Sequence, residues 1–370
     1  MGWHHNDLTG KTGAPPALLF GNPVGYEFAA QGTQHVIYRS RDDRVMELWW
    51  DSSGWHQSDL TAAGNAPAPA SFIRSGYTFA AQGTQHVVYL TGNPAGHVIE
   101  LWWDSNGWHH NDLTVAAGGA PLTQDAPHGY AFESQRTQHV VYITSNPAGH
   151  IIELWWDSNG WHRNDLTAAS GGAPIAAGRP TGYVFDAQGT QHVVYRAAGG
   201  HIIELWWGNN SWHHHDLTTA AGGAPLPASN PTGYAFDAQG TQHVVYLATD
   251  AHIHELWWDS NGWHHNDLTA AAGSAPLASS DPVGYAFNAQ RTQHVVYVTS
   301  NPAGHIIELW WDSNGWHHND LTVAAGTAPS AADRPAGYVF SRQNTQHVVH
   351  FAADDQGIDG HIIELWWNSP

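Results

Sequence analysis

Seven glutamates of this chain share one setting. Each opens a Glu-Leu-Trp-Trp phrase, at Glu47, Glu100, Glu153, Glu204, Glu255, Glu308 and Glu364. Side chains alternate between faces along an extended strand, so in His150-Ile-Ile-Glu-Leu-Trp-Trp156 the acid Glu153 shares a face with Ile151 and Trp155. A carboxylate beside an indole suits a sugar: the acid accepts hydrogen bonds from hydroxyls while the indole covers the apolar C–H face of the ring. The structural alternative is an acid held by backbone N–H groups or a neighbouring Trp or His, since a buried carboxylate needs partners. The candidate sugar-binding residues are therefore the seven acids, with the first tryptophan of each pair, Trp49, Trp102, Trp155, Trp206, Trp257, Trp310 and Trp366. To these is added the tryptophan of each following Gly-Trp-His or Ser-Trp-His step, Trp3, Trp55, Trp108, Trp161, Trp212, Trp263 and Trp316. The second tryptophan of each pair, such as Trp156, shares a face with Ile152 and Leu154 and is expected to fill the core.

Other chemistries fare worse. The histidine column His35, His86, His139, His192, His243, His294 and His347 lies in a Gln-His-Val-Val-Tyr or closely similar strand, where a structural role is expected. On the outer strand His110 and Asp112 share a face and offer nitrogen and oxygen donors to a divalent metal. The histidine becomes Gln57 and Arg163 in two repeats, however, and no third ligand is identifiable, so neither a metal nor a cofactor is expected. Asp112 and its copies read instead as strand-end acceptors. Nucleophile-elbow, zinc-protease and phosphate-loop motifs are missing. Glu153 with Asp165 resembles a glycosidase pair, but candidates that recur in every repeat suit several equal binding sites. The sequence reads as a non-enzyme.

The elements that position these residues form one repeat. Three markers recur seven times: the Gly-Trp-His step at intervals of 51 to 53 residues, the Gln-His phrase, and Glu-Leu-Trp-Trp. All 21 tryptophans are used by the scheme. Within one repeat, Gly129–Glu133, Thr137–Ile143, His150–Trp156 and Gly160–Thr167 carry the aromatic and β-branched residues of strands. Asp157-Ser-Asn-Gly160 is a tight turn, and Pro and Gly after Thr167 suit a crossing to the next unit. The chain ends in His361-Ile-Ile-Glu-Leu-Trp-Trp and begins with Gly2-Trp-His-His-Asn-Asp-Leu-Thr9, two halves of one interrupted phrase. A chain that finishes where it began closes into a ring. The expected fold is all-β, a seven-bladed propeller with four antiparallel strands per blade, spanning 1–370 as one domain, with residues 1–9 completing the last blade.

Composition limits the partners. Twelve Lys and Arg face 32 Asp and Glu, a formal charge of −20, which offers no basic footprint for nucleic acid. No apolar run approaches a membrane span, and there is no Cys. Met1 leads directly into a strand, so no secretion leader is expected and synthesis reads as cytoplasmic, with non-classical release open. The loop Thr144-Ser-Asn-Pro-Ala-Gly-His150 recurs at 299–305, which favours small repeated ligands over a protein partner docked on one face; that scaffold role is the alternative reading, and oligomers remain possible. With 29 His, weaker sugar binding or lower stability is expected near pH 5 than at pH 7.5.

The phrase from Ile151 to Trp161 resembles the repeat of fungal fucose-binding propeller lectins of the Aleuria type. The count of seven looks more like bacterial lectins of the Photorhabdus type. By that resemblance the Glu47 column would contact sugar hydroxyls, with Trp of the same or adjacent blade packing on the pyranose. The Aleuria type places an Arg on the preceding strand, where this chain has Gln-His-Val-Val-Tyr; Arg39 and Arg196 follow the Tyr in only two repeats. His or Gln would then be the donor, and fucose or O-methylated sugars the ligands among glycans.

Overall fold

The computed structural model describes residues 2–19, 21–353 and 360–368. Its strands form seven four-stranded sheets. In the first, the inner strand Val24–Phe28 pairs antiparallel with Thr33–Arg39, then Val45–Asp51, then the outer strand Gly54–Asp59. Five further sheets repeat this pattern. The seventh takes three strands, Ala336–Phe340, Thr345–Ala353 and Gly360–Asn368, from one end of the chain and its outer strand, Gly2–Asp7, from the other. Register runs from Gly2 opposite Asn368 to Asp7 opposite Ile363, so the interrupted phrase is rejoined in space. Met1 lies outside the described residues.

Local chemistry sets each hairpin. In Asp104-Ser-Asn-Gly107 the Asn106 N–H donates to Asp104 Oδ1 at 2.8 Å, and Gly107 takes φ 115°, which a side chain would resist. At the far end of the outer strand, Asp112 Oδ1 accepts from the Val115 N–H at 3.1 Å and caps a single helical turn, Leu113–Ala116. The matching aspartate does the same in every repeat. These helices were not anticipated, because four or five residues are too few to display a helical period.

The apolar core lies between sheets. Tyr26, Ile37 and Val45 of the first blade pack with Val87, Tyr89, Ile99 and Leu101 of the second. At the closing junction Val349 and Ile362 meet Val36, Tyr38 and Leu48, together with Leu8. Both faces of every blade are therefore buried against a neighbour, which is why the second strands are buried almost throughout although each opens with Thr-Gln-His. One glycine per blade makes this approach possible: a Cβ on Gly25 would stand 2.2 Å from Cε1 of Tyr338 in the preceding blade. The Tyr338 hydroxyl reaches past it and donates to Gln34 Oε1 at 3.0 Å. Five other junctions make the same bond. At the remaining one Gln346 Nε2 donates to Glu308 Oε1 at 3.3 Å.

Candidate functional site

Across one face of the closing blade the pairing sets Tyr338 opposite His347, His347 opposite Trp366, Trp366 opposite His4, and Glu364 opposite Asn6. The rings form a row, Tyr338 stacked on His347 at 5.1 Å between centroids and His4 tilted over Trp366 at 4.6 Å. His347 Nδ1 lies 2.8 Å from Glu364 Oε1, and its Nε2 lies 2.8 Å from the Thr345 hydroxyl. With Nδ1–H donated to the acid, Nε2 is the ring atom that faces the Thr hydroxyl. This Thr–His–Glu relay recurs in all seven blades, with His–Glu distances of 2.8 to 2.9 Å. The acids are 1 to 3% exposed. Burial pushes the Tyr338 phenol well above its ordinary 10.0 and the charge of Glu364 pushes it further, so the phenol stays protonated.

The relay uses only one oxygen of each acid. In the closing blade Oε2 accepts from Asn6 Nδ2 at 2.8 Å, and Lys11 Nζ donates to Asn6 Oδ1. In the fourth blade the outer-strand residue is His215, whose Nδ1 is 3.7 Å from Glu204 Oε2. Burial pushes the Glu204 carboxyl up, but the hydrogen bond from His192 and the nearby His215 imidazole outweigh it and hold it below its ordinary range. The nearby carboxylate in turn raises His215. The first blade has Ser58 at this position and the others have Asn. The seven faces are thus similar without being identical.

The next blade supplies the opposite wall. Glu364, Trp366, His347 and Asn6 face Gln34, Trp50, Gly54 and Trp55 across a hollow of about 520 Å³ between the closing and first blades. Trp50 stands edge-on to Phe340 of the neighbouring blade, 5.8 Å between centroids. Its copies Trp103, Trp156, Trp258 and Trp311 do likewise. This corrects the expectation that the second tryptophan of each pair is a core residue: both members of every pair are half-buried. The expectation rested on the face that the second tryptophan shares with buried residues such as Ile152 and Leu154. In a ring each face meets a junction, so alternation sends the first tryptophan toward one neighbour and the second toward the other.

Sequence reasoning missed Asn6 as a wall residue, while the Gln it offered as a donor stands in this wall as Gln34. The register is their signal, placing them on the faces of Glu364 and Trp50. Trp55 lines the hollow and packs on the apolar junction behind it. Arg39 lies outside the hollow and pairs with Asp43 at 2.6 Å. The His110 and Asp112 pair is divided: His110 Nδ1 bonds Gly64 O of the preceding blade connection at 2.7 Å, and Asp112 Oδ2 holds His97 Nδ1 at 2.7 Å.

Residues 21–225, more than half of the chain, match the model of the fungal fucose-specific lectin family. The chain belongs to that family. Membership makes it a carbohydrate-binding lectin and not an enzyme. The matched segment covers the first four blades. Among solved structures, the lectin is similar to the BP39L lectin from Burkholderia pseudomallei, with 15% identity, TM-score 0.66, and coverage of 95% of this chain and 97% of that one. It is also similar to Aleuria aurantia lectin, a six-bladed propeller with a described fucose recognition mode, at 16% identity and TM-score 0.56, covering 86% of this chain and 100% of that one. AofleA from Arthrobotrys oligospora matches at 14% identity and TM-score 0.54, covering 86% of this chain and 89% of that one. Likeness at such identities concerns the fold. No curated protein matches the chain. No helix among the described residues is long and apolar enough to cross a membrane.

Proposed function

We propose that the hollow at each junction is a sugar site, and that the ring binds several copies of one monosaccharide, of the fucose or O-methylated class, on a glycan-bearing surface. The family name and the fucose recognition ascribed to Aleuria aurantia lectin support the sugar class. One observation supports the location: Glu364 and Trp366 of one blade face Trp50 and Trp55 of the next across an open hollow. In this reading Oε2, the oxygen the relay leaves over, accepts a sugar hydroxyl. Gln34 and Asn6 supply polar contacts, and an indole packs on the C–H face. The histidine relay keeps each carboxylate oriented and its first oxygen occupied, as an acceptor that need not reorganise on binding. Single sites of this kind are weak, and several on one rigid ring gain avidity without new contacts.

Calorimetric titration with methyl α-L-fucoside and with O-methylated hexosides tests the proposal. Saturable binding at more than one site per chain is expected. Glu364→Gln, combined with the same change in the other six blades, should weaken it about tenfold or more, the scale of one charge-assisted hydrogen bond. Binding that survives both these changes and Trp55→Ala with its six copies would place the sugar elsewhere. A glycan array with no bound sugar at high protein concentration would refute the reading altogether.

A further inference from the structure

The fifth blade departs from the repeat at one buried position. The residue before the Glu-Leu-Trp-Trp acid is Met46, Ile99, Ile152, Ile203, Ile307 or Ile363 in six blades, and in the fifth it is His254, 2% exposed. An imidazole in an apolar slot must be answered by polar partners. His254 has two: its Nε2 lies 3.1 Å from Asp250 Oδ2, in the turn before the strand, and its Nδ1 lies 2.9 Å from His265 Nε2 on the outer strand. His265 is itself diverted. Its counterparts His5, Gln57, His110, Arg163, His214 and His318 all donate to a backbone carbonyl of the neighbouring connection.

We propose that Asp250, His252 and His254 form a binding site for one divalent transition-metal ion of the Zn²⁺ class, at the end of the fifth blade away from its tryptophan pair. Each offers a ligand atom, and the three atoms lie within 4.8 Å of one another. Two ligands at about 2.05 Å in tetrahedral geometry stand roughly 3.3 Å apart, close to the 3.1 Å between His254 Nε2 and Asp250 Oδ2. Two imidazoles and one carboxylate suit Zn²⁺, Ni²⁺ or Cu²⁺; Mg²⁺ and Ca²⁺ prefer all-oxygen sets. The orienting partners that metal-bound histidines require are already present. Asp267 Oδ2 holds His252 Nδ1 at 2.8 Å, and His265 holds His254 Nδ1, which leaves Nε2 of both rings for the ion. Asp250 is exposed and His252 half-buried, so an ion can approach from solvent on their side and water can complete the coordination.

Titration of Zn²⁺ into the intact lectin at pH 7.5, beside His254→Ile and Asp250→Asn, tests the site. His254→Ile installs the residue of five other blades, so an intact ring with unchanged sugar binding is expected. The unaltered chain should take up one more Zn²⁺ than His254→Ile, Asp250→Asn should bind that ion about tenfold or more weakly, and Mg²⁺ should give no saturable heat. Should His254→Ile melt early, the comparison with Asp250→Asn decides alone. Equal Zn²⁺ uptake by the unaltered chain and a folded variant overturns the proposal, and so does a lack of saturable Zn²⁺ binding by the unaltered chain.

Discussion

His350 occupies the place of Tyr38, Tyr89, Tyr142, Tyr195, Tyr246 and Tyr297, and it is fully buried. Those tyrosines donate to a proline carbonyl, as Tyr38 does to Pro15 O at 2.7 Å; His350 Nε2 has no partner. Burial pushes its imidazole from 6.5 down to about 4, helped by His5 and opposed by the Phe351 carbonyl. The unfolded chain therefore binds this proton more readily, so the neutral group's stability contribution is complete above pH 6.5 and is lost as pH falls toward 4. About 3 kcal/mol is at stake. His350→Tyr should melt higher than the unaltered chain at pH 4.5, with a smaller gap at pH 7.5; parallel pH profiles would discount this residue. His215 works in the opposite sense. Its raised affinity for a proton, from the Glu204 carboxylate 3.7 Å away, brings a cation toward the oxygen proposed to hold the sugar. As pH falls through the His215 titration the fourth site should weaken, and His215→Asn should abolish that change in a site-resolved NMR titration.

Within a blade, the inner strand is only five residues long, yet its glycine sets how close two blades come. A Cβ on Gly182 would stand 2.1 Å from Cε1 of Tyr130. Gly182→Ala should cost about 1–3 kcal/mol, the usual range for overpacking a filled core, read from urea unfolding. No loss would mean that the tyrosine ring can swing aside. The Gly-Tyr pair was visible in the sequence as strand chemistry. Its cross-blade role was not, because glycine and tyrosine meet from different repeats, and periodicity along the chain says nothing about what stands opposite.

Ring closure depends on six residues that contribute little by themselves. The strand Gly2–Asp7 pairs along its own full length with Ile363–Asn368, His5 Nδ1 reaches Ala325 O at 2.7 Å, and Trp3 packs against the sixth junction. Removing residues 2–7 would leave the third strand of the closing blade as a bare edge and uncover apolar surface on two junctions. A sharp drop in melting temperature and a tendency to associate through the exposed edge are expected; an unchanged melting curve would mean that the ring does not rely on this strand. Multivalent binding should fall with it if the hollow beside Asn6 and Glu364 is one of the sugar sites.

Much was settled by the chain before any folding. Repetition of Glu-Leu-Trp-Trp, Gln-His and Gly-Trp-His determines the number of blades, and the divided phrase determines where the ring closes, because strand register and turn chemistry are local and each repeat restates them. The acids and two of the three tryptophan columns around the hollow were legible for the same reason. Only the tertiary structure decided that the second tryptophan stands at a junction wall, that each Glu is tied to a His of the strand beside it, and that His254 meets Asp250 and His265. Those contacts join residues from different strands or different blades. Their distances follow from how two curved sheets press together, a quantity no single repeat encodes.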